Sequence, residues 1–237
     1  MTLNAKISEH ARNFGVDYFG IGDLYLARAA IQSQGGTEIA SFTYSISLGI
    51  TLNTHIVDQL PRMYDRSVAL NNKLHAYTFI NQRLDLAASQ ISSHIQKLGY
   101  RVLPLPAAER IDDEKMCAAF SHKMGANLAG LGWIGKSCLL VTPDDGPRVR
   151  WTTVLTDAPL EPTGKPLDQQ CGNCSACVDI CPVKAFTGRA FIKGEPREAR
   201  YDARKCEDNF KTMKNQGLID VCGLCLYVCP YGRKKNN

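Results

Sequence analysis

Cys171-Gly-Asn-Cys174-Ser-Ala-Cys177-Val-Asp-Ile-Cys181-Pro182 is a C-x2-C-x2-C-x3-C-P run, and an altered copy follows as Cys222-Gly-Leu-Cys225-Leu-Tyr-Val-Cys229-Pro230. The second copy lacks a first cysteine, since Ile219 occupies that position, and Cys206 stands sixteen residues ahead of Cys222 instead. Eight thiols in this order are the ligand set of two [4Fe–4S] clusters, because each cubane takes four thiolates and short loops present three of them on one face. In two-cluster ferredoxins of the bacterial type the fourth cysteine of each run reaches to the other run's cluster. The expected partition is Cys171, Cys174, Cys177 and Cys229 around one cluster, with Cys181, Cys206, Cys222 and Cys225 around the second. Zinc also takes four thiolates, but it does not need crossed fourth ligands or the prolines that fix the chain after each run. Of the ten cysteines, Cys117 and Cys138 lie outside the runs in apolar patterns and read as core residues.

Working outward from the runs, 237 residues suffice for one domain of medium size and a small appendage, with an ordinary apolar content. The N-terminal residues carry no apolar signal segment, and no apolar run approaches the length of a membrane span. A reducing, cytoplasmic setting without membrane association is therefore expected, and the thiols read as metal ligands rather than disulfides. The formal charge of +5 is modest. Arg233-Lys234-Lys235 reads as a frayed, solvated tail, which argues against a nucleic-acid partner.

Upstream, Leu3, Ile7, Ala11 and Phe14 share a helical face ending at Gly15, and a strand is expected over Val16–Gly22. Tyr44, Ile46, Leu48 and Ile50 alternate with Ser45, Ser47 and Gly49, the pattern of a half-buried strand. Its second face, made of small residues, suits either something flat or a packed helix. From Arg66 to Leu98 the positions Leu70, Leu74, Tyr77, Ile80, Leu84, Ala87, Ile91, Ile95 and Leu98 step by three or four, predicting one long core helix, broken at most once. His75 and His94 within it lack metal-ligand spacing. A strand over Tyr100–Leu105 and a helix over Asp112–Asn127 precede the glycine-rich stretch Gly130–Ser137. A strand over Cys138–Thr142, a turn at Pro143–Gly146 and a second strand with Val149, Trp151, Thr153 and Leu155 alternating come after it. Helices and strands interleave without a βαβ rhythm, so the fold class is α+β or a layered α/β sandwich over residues 1–160. The turn-rich Glu161–Pro166 then reads as a linker into a cluster domain over 161–237.

Gly130-Leu-Gly-Trp-Ile-Gly-Lys-Ser137 satisfies G-x-x-x-x-G-K-S, the phosphate-binding loop pattern. That motif works between an incoming strand and an outgoing helix, because the phosphate sits on the helix N-terminus. Here a helical pattern enters and a strand leaves. The remaining readings are a tight structural turn or backbone that yields space to a large cofactor.

Ala129–Ser137, the hairpin after it, Gly146–Asp157 and Tyr201-Asp-Ala-Arg-Lys-Cys206 resemble the epoxyqueuosine reductases and the reductive dehalogenases that share their core. The resemblance continues more weakly back to Phe14–Gly22. It implies a nitroreductase-like α/β sandwich carrying base-off cobalamin, joined to a C-terminal ferredoxin-like domain with two [4Fe–4S] clusters. It makes Gly130, Gly132, Trp133, Lys136, Ser137 and Trp151 candidate cobalamin contacts. The family's catalytic aspartate position falls on Met116 and its following E-R pair on His122-Lys123, while Asp112, Asp113 and Glu114 lie near but displaced. His122, Lys123, Asp112 and Asp113 are the candidate proton donors, and the structural alternative for His122 is a partly exposed helix residue.

With the aspartate unmatched, and with eight residues following Cys229 where the family's tRNA-directed helical repeats would be, the resemblance points away from queuosine in tRNA. The expected function is a cobalamin (corrinoid) reductase, with cobalamin-dependent reduction of a small organic substrate and a flavin- or partner-binding electron carrier as alternatives. The expected partners are a low-potential donor of ferredoxin or flavodoxin type and a corrinoid protein. Electrons would pass from that donor to the first cluster, then the second, then cobalt.

Overall fold

The computed structural model describes residues 2–233, so Lys234 and Lys235 of the expected tail lie outside the described residues. Arg233 stacks on the Tyr227 ring at 4.9 Å. Helix α1 (Leu3–Asn13) leads to β1 (Tyr18–Asp23), α2 (Arg28–Ala40), β2 (Tyr44–Thr51) and the short α3 (Thr54–Asp58). Next come α4 (Arg66–Asn72), a π-helical stretch over Lys73–Phe79, α5 (Ile80–Lys97), β3 (Val102–Leu105) and α6 (His122–Leu128). The hairpin β4 (Trp133–Ile134) and β5 (Leu140–Val141) precedes β6 (Val149–Thr156), and α7 (Ala176–Asp179), α8 (Ala203–Asn215) and α9 (Leu224–Val228) complete the order.

The chain forms two compact units, each drawn from separate stretches. One holds residues through Ile50, Phe79–Gly132 and Arg150–Leu167; the other holds Thr51–Thr78, Trp133–Val149 and the chain from Asp168 onward. The last junction, at Leu167/Asp168, lies a few residues beyond the expected cut at 160. Residues 51–78 and 133–149 join the cysteine-bearing unit, a grouping that depends on contacts far apart in sequence.

In the first unit a four-stranded sheet runs in the order β1-β2-β6-β3. β1 pairs antiparallel to β2 with Phe19 opposite Leu48, and β3 pairs antiparallel to β6 with Leu103 opposite Leu155. Leu24, Ile31, Phe42, Leu105, Phe120 and Leu155 form one buried cluster beside this sheet. The small-residue face of β2 receives a helix, not a flat ligand: Ser45 and Ser47 are fully buried. A Cβ on Gly125 of α6 would stand 3.1 Å from the Ser47 hydroxyl oxygen and 3.3 Å from that of Ser45. Only a helix with glycine at that point approaches so closely, and β2 is consequently buried on both faces.

Three sequence expectations change here. The helix predicted over 112–127 exists only as α6; residues 112–117 form a tight loop closed by an Asp112–Cys117 bridge, with Met116 at φ +50°. In the long helical run, Ile80, Leu84, Ala87, Ile91 and Ile95 are buried as expected, but Leu70, Leu74, Tyr77 and Leu98 are exposed. Before the wide π turn the inward positions are Val68, Ala69, Asn72 and Ala76. That stretch is apolar on two faces, so periodicity alone chooses the wrong one. Finally, 161–166 is no free linker. The Thr163 amide donates to the Ile21 carbonyl at 3.0 Å, its hydroxyl accepts from the Ile21 amide at 2.9 Å, and Asn4 brackets Glu161 through both side-chain atoms.

In the second unit a buried arginine joins the three stretches. Arg148 is 2 % exposed; its Nη2 meets the Asp58 carboxylate at 2.8 Å and donates to the Tyr227 carbonyl at 3.2 Å. Nε and Nη1 of the same side chain are buried without a partner. Asp58 ends α3 and Tyr227 lies on α9, so one guanidinium ties segments separated by more than a hundred residues.

Candidate metal centre

Both cysteine runs fold into short loops opening single turns of helix. The Cys174 amide donates to the Cys171 carbonyl at 2.9 Å, and α7, starting at Ala176, then carries Cys177. In the second run Gly223 adopts φ +71° to open α9, which carries Cys225, and Cys229 caps that helix in extended conformation. Cys206 lies on α8, so the sixteen residues before Cys222 are built around a helix rather than a loop.

Cys171, Cys174, Cys177 and Cys229 line one cavity together with Gly135 and Ser137. Burial pushes the Cys177 thiol up to about 11, and the neighbouring Cys171, Cys229 and Cys174 push in the same direction. Around the other site, burial raises Cys225 furthest, with Cys222, Cys206, Cys177 and Cys181 adding to it. Cys222 is likewise raised by burial and by Cys206 and Cys181. The structure thus brings Cys181 to the thiols of the second run and Cys229 to those of the first. Crowded, half-buried thiols of this kind resist ionisation unless a cation joins them, and bound iron supplies that charge. Four thiols ringing one cavity are a donor set that suits a polynuclear cluster, in which each iron would take one thiolate.

Each group also receives hydrogen bonds. The Gly232 amide donates to the Cys229 carbonyl at 3.0 Å, and the Tyr231 amide serves the Cys229 thiol. Cys181 Sγ accepts from the Ala185 amide at 3.3 Å, and Cys222 accepts from the Leu224 and Gly223 amides. Tyr201 donates its hydroxyl to Cys206. Neither Tyr201 nor Arg148 is singled out by spacing; both lie in stretches that carry the family resemblance, which gives neither a role. Cys138 is buried as expected, and its Sγ accepts from Arg200 at 3.7 Å, while Cys117 is only half-buried in its loop.

The residues of Gly130–Ser137 have protein partners within their own units. Gly130, at φ +79°, faces the backbone of Gly164 and Lys165, where a Cβ would come within 3.0 Å. The space its missing side chain provides is filled by that segment. The Gly132 carbonyl accepts from Asn127 at 2.8 Å. Trp133 is buried edge-on to Tyr231 at 4.8 Å. Lys136 Nζ donates to the carbonyls of Gly172 and Cys174 at 2.8 and 3.1 Å, placing an ammonium beside the first thiol group. Ser137 lines the same cavity, and a hairpin strand follows it rather than the helix a phosphate loop requires. Trp151 lies over Gly49 with Tyr18 beside it.

The proton-donor candidates do not gather at one point. His122 Nε2 donates to the Pro106 carbonyl at 3.0 Å, which leaves Nδ1 to accept from the Thr153 hydroxyl at 2.9 Å. Burial pushes its pKa down to about 4, so the ring is neutral and both nitrogens are engaged. Lys123 follows it on α6. Asp112 accepts from the Lys115 amide at 2.7 Å, and Asp113, its side chain 95 % exposed, pairs with Arg110 at 3.6 Å. No helix among the described residues is long and apolar enough to cross a membrane.

Residues 170–232 match the protein family described as a 4Fe-4S double cluster binding domain. Among curated proteins, the chain is 28 % identical over 231 residues to the epoxyqueuosine reductase of Pseudomonas aeruginosa, covering 92 % of this chain and 57 % of that protein. It is 31 % identical over 185 residues to the Aliivibrio fischeri epoxyqueuosine reductase, covering 72 % and 43 %. The chain thus spans about half the length of these relatives. Among solved structures it is similar to a reductive dehalogenase described as suggesting a mechanism for B12-dependent dehalogenation, with TM-score 0.72, 21 % identity and coverage of 96 % of this chain and 31 % of that one. The epoxyqueuosine reductase of Streptococcus thermophilus gives TM-score 0.59 at 18 % identity, covering 100 % and 68 %. These structural likenesses are likenesses of fold.

Proposed function

We propose that this chain is an iron–sulfur oxidoreductase that takes electrons from a low-potential one-electron donor through two [4Fe–4S] clusters and delivers them to a corrinoid. The reading rests on one observation, the gathering of eight thiols into two groups of four with the fourth cysteine of each run exchanged. Cys177 lies among the first group's thiols yet acts electrostatically on Cys225 of the second. Neighbouring groups of this kind suit stepwise one-electron transfer. Cys174 is the exposed cysteine of the set, which makes the first group the receiving end for an outside donor such as a ferredoxin or flavodoxin.

Base-off cobalamin as the acceptor, and a nitroreductase-like sandwich as its platform, rest on the likeness to the epoxyqueuosine reductases and to the dehalogenase described with B12. A corrinoid supplies a metal that takes up electrons one at a time. Corrinoid reduction is favoured over turnover of a small organic substrate because His122 has both ring nitrogens committed and Asp113 points into solvent. A corrinoid-carrying protein is the corresponding partner, and the cytoplasm the corresponding setting.

Anaerobic purification followed by addition of hydroxocobalamin tests this. About eight iron atoms per chain are expected, together with reduction of the corrinoid when a low-potential donor is supplied. Loss of corrinoid on washing with no reduction, while flavin co-purifies, would overturn the corrinoid reading. Absence of iron would overturn the oxidoreductase reading itself.

A further inference from the structure

A two-residue ladder beside the second thiol group places a hydroxyl donor where the runs themselves have none. Phe186 bridges Tyr201 in antiparallel register. The Thr187 amide donates to the Arg200 carbonyl at 3.0 Å, and the Asp202 amide donates to that of Ala185 at 2.9 Å. The rings of Phe186 and Tyr201 stack at 5.2 Å with 23° between their planes, fixing the tyrosine's direction. Asp202 then caps α8 by accepting from the Lys205 amide at 3.1 Å, so Cys206 follows on the first turn at a set distance from Tyr201. The same ladder begins at Ala185, whose amide donates to Cys181 Sγ. One small element therefore hydrogen-bonds two of the four sulfurs of the second group. The thiols of the first group are instead accompanied by backbone amides at Cys229 and by the Lys136 ammonium.

Resting on the two-cluster reading above, we infer that Tyr201 is a positioning residue that sets the reduction potential of the second cluster, through its hydroxyl bond to the Cys206 sulfur, independently of the first. The physical basis is charge. Reduction of a [4Fe–4S] cluster adds one electron from the donor, and that electron's charge is spread onto the thiolate sulfurs. A donor hydrogen bond strengthens as the sulfur becomes more negative, so it stabilises the reduced form over the oxidised one. The phenol is half-buried and held by its stack, which keeps water from replacing it. Removing the hydroxyl while keeping the ring leaves the ladder and the stack in place and takes away that differential stabilisation.

The experiment uses the full chain, reconstituted anaerobically, with iron content and visible absorbance measured first. Loss of iron from wild type would defeat the two-cluster reading, a result distinct from anything below. In the loaded protein, EPR-monitored redox titration of wild type, Tyr201→Phe and Cys206→Ala resolves two signals, and Cys206→Ala identifies which belongs to the first cluster. For Tyr201→Phe the ratio of reduced to oxidised second cluster at a fixed solution potential is expected to fall by about fivefold to tenfold, within the net range of one ordinary hydrogen bond. The first cluster's titration stays in place. An unchanged second signal, or equal displacement of both, overturns the inference.

A wild-type measurement covers the case in which Tyr201→Phe loads incompletely. Brief transfer into deuterated buffer should introduce a strongly coupled exchangeable deuteron at the reduced second cluster, seen by pulsed EPR, because a hydroxyl exchanges faster than the amides at Ala185 and Gly223. A second cluster without such a rapidly exchanging deuteron also overturns it.

Discussion

Replacing Asp58 by alanine should destabilise the protein more than replacing its partner Arg148 by methionine. The reason lies in the unequal burial of the pair, Arg148 at 2 % and Asp58 at 46 % exposure. Without Asp58 the guanidinium stays in the interior with only the Tyr227 carbonyl at 3.2 Å, its Nε and Nη1 being unpartnered already. Leaving a buried charge unpaired costs roughly 3–5 kcal/mol, and water reaching the vacated half-exposed position reduces that to about 2–3 kcal/mol. The reverse change leaves a carboxylate that water can solvate. It loses one hydrogen bond to Tyr227, about 1 kcal/mol, removes the unpaired donors and keeps most of the stem packing. Arg148→Met should therefore cost about 1 kcal/mol or less. In the Arg148→Met background Asp58→Ala should cost under about 0.5 kcal/mol, since the charge it compensated is gone. Urea unfolding of the iron-loaded protein under anaerobic conditions, followed by far-UV circular dichroism, measures all four corners of the cycle. Asp58→Ala costing no more than Arg148→Met, or costing the same in both backgrounds, would show that Asp58 does not compensate the Arg148 charge.

Three further outcomes are expected. His122 has a folded pKa near 4 against an ordinary value of 6.5, so the unfolded chain takes up a proton first, and the stability His122 confers is lost as pH falls from about 6.5 towards 4. The stability advantage of wild type over His122→Asn should accordingly narrow between pH 7 and pH 5 in denaturant titrations, and an advantage independent of pH would contradict a neutral ring held by both nitrogens. Gly130→Ala introduces a Cβ within 3.0 Å of the Gly164 and Lys165 backbone at a left-handed φ, and a loss of about 2 kcal/mol or more in thermal or urea unfolding is expected. Lys136→Met removes the ammonium from the first group's carbonyls. It should make the first cluster harder to reduce without moving the second, as read by redox titration, and movement of the second cluster alone would reverse the assignment.

Much of the site was legible because cluster ligation depends on local spacing. Three cysteines within seven residues can meet one cubane through their own loop, so Cys171, Cys174 and Cys177 are readable as a set. The strands at Tyr44–Thr51 and Val149–Thr156 were equally visible, since alternation is a property of neighbouring residues. What failed were readings of which face a segment turns inward. Leu70, Leu74 and Tyr77 are apolar at helical spacing yet exposed, because a π turn and the packing of Val68, Asn72 and Ala76 decide the inward side. Gly130 offered space for a cofactor, and a backbone segment more than thirty residues away takes it.

Eight thiols at cluster spacing, with Cys206 as the displaced ligand, are legible along the chain and define the chemistry it is equipped for. What surrounds them follows from the fold. The Tyr201 hydroxyl at Cys206, the Lys136 ammonium at Gly172 and Cys174, and the Arg148 guanidinium between Asp58 and Tyr227 are contacts between distant stretches or across a helix start. Ligand spacing is a matter of bonds along one loop, whereas the charge and hydrogen bonding that tune a ligand depend on which remote segments the fold packs against it.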